Sequence, residues 1–266
     1  VQFVTVNSLE KDQERALRVA QDNCILRGLV GSTVHGLSNP GTDDRDEMGV
    51  CIEPAEYVLG LRRFEHCVAR TQPEGHPSGP GDTDLTIYGL RKFAALASKG
   101  SPTVLLLFFV RGHDVLESDE LGAELQALAP AFLSERTGKA FLGYLNAQTR
   151  SLRGERHATR TRELSQTHGY DTKFAMHALR IGVQGVELME TGGISLPVKE
   201  PARARLREVR AGTVALDEIL AEIDEVAREL ERLTKASELP PGPQHERINA
   251  FLESAYQRWW QRPTAG

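Results

Sequence analysis

Short apolar runs punctuate the first half of the chain, and longer stretches with helical spacing fill the second. Residues 25–30 (ILRGLV) form a brief apolar run that ends against Gly31-Ser32, the pattern of a strand delivering its end to a glycine turn. A second strand is predicted over EMGVCIE, from Asp46 onward, and a third near Asp84, where Leu85 and Ile87 alternate with Thr86 and Tyr88. Before the first strand, residues 8–22 open with Ser8 as an N-cap and carry Leu9, Ala16, Leu17, Val19 and Ala20 among charges, which predicts an amphipathic helix. Residues 88–99 set Leu90, Phe93, Ala94, Leu96 and Ala97 on one face ahead of Gly100. Further helices are predicted over 119–129, 134–152, 171–190, 215–235 and 244–260. Within the fourth of these, Ile219, Leu220, Ile223, Val226, Ala227 and Leu230 share one side and leave a solvated acidic face. Residues 71–83 (TQPEGHPSGPGDT) are rich in Pro and Gly and predict an exposed, mobile loop between the second and third strands, a cover for a site or a plain connection.

The resulting class is α+β: a small mixed β-sheet domain flanked by helices over residues 1–115, then a helical C-terminal region over 116–266. Composition narrows the setting. No apolar run approaches the roughly 18 residues that cross a bilayer, and the first residues lack the pattern of a secretory signal, so a cytoplasmic location is expected. Cys24, Cys51 and Cys67 cannot all pair and show no zinc spacing, so they read as reduced thiols. A net charge of −5 argues against a protein that coats nucleic acid through its overall field, though not against a local basic surface.

The chemistry concentrates in GSTVHGLSNPGTDDRDEMGV, residues 31–50. Asp44 and Asp46 are separated by one residue, so on an extended strand both side chains point to the same face. Asp43 has no such partner, because position 45 is Arg. Paired carboxylates are the hard oxygen ligands that Mg2+ takes, and two such ions about 3.5–4 Å apart can activate an attacking oxygen and a leaving pyrophosphate. Gly31 lets the backbone come close to a phosphate, Ser32 and the amides of the next turn can donate to it, and Gly36 permits a tight exit toward Asp44. His35, read as an exposed loop histidine, either touches nucleotide or caps the turn. An Asp-x-Asp spacing alone is common; a strand ending in Gly-Ser, a Gly-bounded turn and Asp-x-Asp entering another strand are together much rarer.

This arrangement resembles the GS-to-DxD signature of the polymerase beta-like nucleotidyltransferases. The segments DLTIYGLRKFAALASKGSPTVLLLFF (84–109) and GYDTKFAMHALRIGVQGVELMETGGISLP (169–197) resemble one group within that superfamily, the predicted nucleotidyltransferases associated with RNA ligases in bacteria and phages. The resemblance implies a catalytic domain at 1–115, with the helical region 116–266 completing the nucleotide and acceptor cleft. It implies Mg2+ or Mn2+ on Asp44 and Asp46, with a third carboxylate on a later strand beside the attacking hydroxyl. Asp84 matches that position and shares its face with Thr86 and Tyr88; Asp82 has the same parity but lies in the Gly-rich loop. Asp84 is expected also to help deprotonate the acceptor hydroxyl, directly or through its metal.

Basic residues supply candidates for substrate contact. Lys92, in the helix that follows the third strand, is a candidate triphosphate ligand. Lys173, His177 and Arg180 recur at spacings of four and three, on one face of their helix, and are candidates for the nucleotide. Arg150, Arg153, Arg156, Arg160 and Arg162, offset by Glu155 alone, form a candidate RNA surface. The function expected is transfer of a nucleoside monophosphate from an NTP to a hydroxyl acceptor, an RNA end being favoured, with release of pyrophosphate. The alternatives are a non-catalytic nucleotide- or RNA-binding protein on the same fold and a protein-modifying enzyme of toxin–antitoxin type.

Overall fold

Cys24–Val30 is buried at every position except Arg27, as an apolar run covered on both faces must be. The structure, a computed structural model, describes residues 4–5, 10–39, 41, 43–72, 76, 79–153 and 168–262. Its strands are β1 (Val4–Thr5), β2 (Cys24–Val30), β3 (Arg45–Cys51), β4 (His66–Arg70), β5 (Thr83–Gly89) and β6 (Val115–Ser118), in the sheet order β1-β4-β5-β3-β2-β6. β3 and β5 run parallel, and every other neighbouring pair is antiparallel, which makes the sheet mixed, as expected.

The helices in chain order are α1 (Glu10–Asp22), α2 (Gly31–Val34), α3 (Ala55–Val58), α4 (Leu90–Ala97), α5 (Pro102–Leu105), α6 (Glu120–Ala127), α7 (Ala129–Phe132), α8 (Glu135–Leu152), α9 (Thr172–Thr191), α10 (Ala202–Ala211), α11 (Leu216–Lys235) and α12 (His245–Trp260). The long ones fall close to their expected spans. Among the short ones, α10 escaped the periodicity because only Leu206 and Val209 of ARARLREVRA are buried.

β4 corrects the expected chain path. From β3 the backbone passes over the position beside it, lays down β4 one strand further out, and returns as β5 between the two. The Pro/Gly-rich segment therefore closes the β4–β5 hairpin and does not join the second expected strand to the third. Its root is tied: Thr83 N donates to Thr71 Oγ1 at 2.8 Å, Thr71 Oγ1 to Asp82 Oδ1 at 3.3 Å, and Gly79 N to Asp82 Oδ2 at 2.9 Å. Gln72, expected in an exposed loop, is buried.

The chain divides into two compact units that do not follow a single cut: one comprises residues 1–98, 104–132 and 244–266, the other 99–103 and 133–243. In the sheet unit, alternate residues of the strands (Cys51, Cys67, Ala69, Leu85, Ile87) join Phe64 and Ala20 in a core against which Ala16, Leu17 and Val19 of α1 pack. α12 belongs to this unit and is held by polar side chains. Tyr256 Oη donates to Glu53 Oε2 at 2.6 Å and accepts from Arg91 N at 3.2 Å, Trp260 Nε1 donates to the Glu53 carbonyl at 3.0 Å, and Arg258 forks onto Glu124 at 2.8 and 2.9 Å. Glu53 also accepts from Leu90 N at 3.0 Å, so one buried carboxylate caps α4 and anchors α12.

In the helical unit, α8, α9 and α11 approach closely where α9 carries small residues. A Cβ on Gly182 would lie 2.7 Å from Val226 Cγ1 and 3.1 Å from Leu145 Cδ2, and one on Gly185 would press on Phe141 and Leu230. Asp171 caps α9 by accepting from Phe174 N at 3.0 Å, and Gly192 closes its other end in the left-handed conformation.

Candidate active site

Asp44 stands one residue before β3, and Asp46 is the second residue of that strand. In the parallel register Asp46 pairs with Asp84 of β5, and across the antiparallel ladder it pairs with Val30, the last residue of β2. Side chains two apart share a face, so Asp44 joins the other two, and ligand oxygens of all three lie within 4.8 Å of one another. Each of the three residues is partly buried. β3 alternates cleanly: Arg45 and Glu47 take the opposite face, where Arg45 Nε donates to Glu47 Oε1 at 2.7 Å and Arg27 lies 3.7 Å from the same buried carboxylate.

The turn after β2 is shaped around Asp46. Gly31 has φ +71°, and a Cβ there would come within 1.9 Å of Asp46 Oδ2. Only a residue without a side chain fits both the conformation and the space. Ser32 Oγ donates to Asp43 Oδ2 at 3.0 Å, and Asn39 N donates to the same oxygen at 2.9 Å. Asp43, the acid of the wrong parity, thus braces the segment that returns the chain to Asp44. His35 is buried, contrary to its reading as an exposed loop residue.

Asp82, the competitor for the third carboxylate, serves the hairpin root as described above. Asp84 receives Gln72 Nε2 at 3.0 Å on Oδ1, with Arg70 Nε 3.5 Å from the same oxygen. Neither partner was a sequence candidate. A recognised β4 would have been the signal, since its register sets Arg70 directly opposite Asp84.

Three carboxylates this close repel, each pair by about 3 kcal/mol at an effective dielectric near 20, and less where water reaches them. A divalent cation removes that penalty. An all-carboxylate donor set on one face suits Mg2+ or Mn2+ and lacks the thiolate or imidazole that zinc sites favour.

The described basic candidates are carried by helices or lie at a helix end. Lys92 follows the far end of β5, which runs about 16 Å from Asp84 to Gly89 at roughly 3.3 Å per residue. There its Nζ pairs with Glu65 at 2.7 Å. Proximity in sequence had suggested a shared site; strand direction separates the two. Lys173, His177 and Arg180 lie on α9 of the helical unit, Lys173 exposed and Arg180 buried. Arg180 binds Gln184 Oε1 at 3.0 Å and His177 Nδ1 at 2.8 Å. Burial first, then the charges of Arg180 and Lys173, push the His177 imidazole down to about 3. Arg150 is exposed and Arg153 pairs with Asp224 at 3.0 Å; Arg156, Arg160 and Arg162 lie outside the described residues. Among the described residues no helix is long and apolar enough to cross a membrane.

A mixed sheet that runs one strand into Gly-Ser and gathers Asp-x-Asp at the start of the next and a third carboxylate from its neighbour is the arrangement of a polymerase beta-like nucleotidyltransferase. Over residues 6–261 the chain matches the model of the RNA repair pathway DNA polymerase beta family (RlaP), and it belongs to that family. None of the curated proteins matches it. Among solved structures, a nucleotidyltransferase-like protein from Exiguobacterium sibiricum 255-15 aligns over 95% of this chain and 81% of its own, with 12% identity and a TM-score of 0.31, a likeness too distant to carry an argument.

Proposed function

We propose that the protein transfers a nucleoside monophosphate from an NTP to a hydroxyl acceptor, an RNA end in preference to a protein or small molecule, releasing pyrophosphate. The observation that carries this reading is the convergence of Asp44, Asp46 and Asp84 beside Gly31. The family supports it, being one of an RNA repair pathway.

In this reading Asp44, Asp46 and Asp84 hold Mg2+ or Mn2+, which when bound supplies Lewis-acid neutralisation of the triphosphate and of the developing oxyanions. The acceptor oxygen forms a bond to the α-phosphorus as the bond to the pyrophosphate oxygen breaks, and a carboxylate oxygen of Asp84 takes the hydroxyl proton. Gly31 and Ser32 bring backbone amides toward the phosphates, with no side chain at Gly31 to keep them away. Lys173, His177 and Arg180 as nucleotide contacts, and the arginines from Arg150 to Arg162 as an RNA surface, belong to the same proposal. So does a cytoplasmic setting, supported by three cysteines that are free and buried.

The test is a transfer assay with each labelled NTP, Mg2+ or Mn2+, and a mixed pool of RNA and protein acceptors. Label on RNA ends is expected, with a loss of at least about a hundredfold in Asp44→Asn and Asp46→Asn. Label that goes to protein or to a small molecule overturns the RNA assignment. No transfer with any NTP overturns the enzymatic reading.

A further inference from the structure

Across the sheet, the register sets out one row of paired residues at the end that carries the acids: Arg70, Asp84, Asp46 and Val30, on β4, β5, β3 and β2. Asp84 therefore has a carboxylate on one flank and a guanidinium on the other. From just beyond β4, Gln72 reaches the same Asp84 oxygen. Gln72 is 5% exposed, so its amide is a fixed donor, whereas the Arg70 side chain keeps 38% exposure and its longer contact is partly screened. The backbone beneath is equally constrained: Thr71 N donates to the Thr83 carbonyl at 3.1 Å, and Thr83 N to Thr71 Oγ1.

We infer that Gln72, seconded by Arg70, is a positioning residue of the metal centre: its amide holds the Asp84 carboxylate beside Asp46, against their mutual repulsion, before any cation arrives. The inference rests on the reading that Asp44, Asp46 and Asp84 bind a divalent cation. A carboxylate has about four acceptor sites across its two oxygens, so a donor at Oδ1 orients the group and leaves it capacity to ligate. With that donor removed the carboxylate is held less firmly toward Asp46, and more of the ligand set has to be assembled at the moment of binding.

The experiment compares wild type with Gln72→Met, which keeps length and volume but removes the donor, and Gln72→Glu, which keeps the shape and replaces the donor by a negative charge. Mn2+ affinity is read by calorimetry, kcat and KM for NTP by the transfer assay, and folding by thermal melts. Positioning predicts that both variants bind Mn2+ about tenfold more weakly, with kcat down by about 10–100-fold and KM changed by less than about threefold. A role through charge alone predicts tighter Mn2+ binding in Gln72→Glu, and that result overturns the inference, as do affinity and kcat in Gln72→Met within about twofold of wild type. The near-isosteric Gln72→Glu keeps the question decidable if Gln72→Met melts early. Should wild type transfer nothing to any acceptor, the activity reading fails on its own and the Mn2+ titration still decides the positioning role. A wild-type chain that takes up no Mn2+ overturns both.

Discussion

Replacing Gly31 by Ala places a methyl group where the Asp46 carboxylate now stands. Two effects combine, and a second substitution separates them. The left-handed φ of +71° strains any side chain by about 1–2 kcal/mol. The new Cβ also meets Asp46 Oδ2 at 1.9 Å, so the oxygen must retreat by about 1.5 Å to reach an ordinary contact. A displacement near 1 Å at a reacting centre can cost about a hundredfold in rate. Gly41→Ala is the control, because Gly41 has φ +83° and nothing lies within 4 Å of the point its methyl group would occupy. Both variants should lose about 1–2 kcal/mol in urea unfolding. Only Gly31→Ala should lose Mn2+ affinity by calorimetry and about a hundredfold or more in transfer rate. Equal losses of affinity in the two variants, or wild-type affinity in Gly31→Ala, would refute the claim that the glycine exists to make room for Asp46.

Tyr256→Phe removes the hydroxyl that donates to the buried Glu53 carboxylate and accepts from Arg91 N; urea unfolding should show a loss of about 2–3 kcal/mol, and a change under about 0.5 kcal/mol would contradict the anchoring role of Glu53. His177 predicts acid sensitivity: its folded value is depressed to about 3, so the unfolded chain takes up the proton first as pH falls below about 6.5, and stability declines from there toward pH 3 by at most about 1.4 kcal/mol per pH unit. His177→Gln should flatten that part of the stability profile relative to wild type, and parallel profiles would show that the imidazole is not held neutral.

Much of the candidate site's geometry was legible because it is local. Asp44 and Asp46 sit two apart on a strand with a recognisable apolar continuation, and the alternation of Leu85 and Ile87 with Asp84, Thr86 and Tyr88 is the burial alternation of β5. What escaped depends on pairing between distant segments. HCVAR is five residues in which Val68 between Cys67 and Ala69 hides the alternation that burial follows, and β1 and β5 flank it in the sheet. With β4 unseen, Arg70 and Gln72 had no register to bring them to Asp84, and the loop around Gln72 read as solvent-exposed. The placement of Lys92 turns on a related point: spacing reports that a helix follows β5, while the direction of the strand decides which end of the sheet the helix leaves from.

The discontinuity of the sheet unit bears on how the chain is made. Its last piece, α12, emerges from the ribosome only after residues 133–243 have been synthesised, and those residues form a unit of their own. Helices α8 to α11 can therefore condense during translation, while Glu53 must wait for Tyr256 before its carboxylate has its buried partner. The order of synthesis thus lets all six strands and then the bundle emerge before the sheet unit receives α12, its final element.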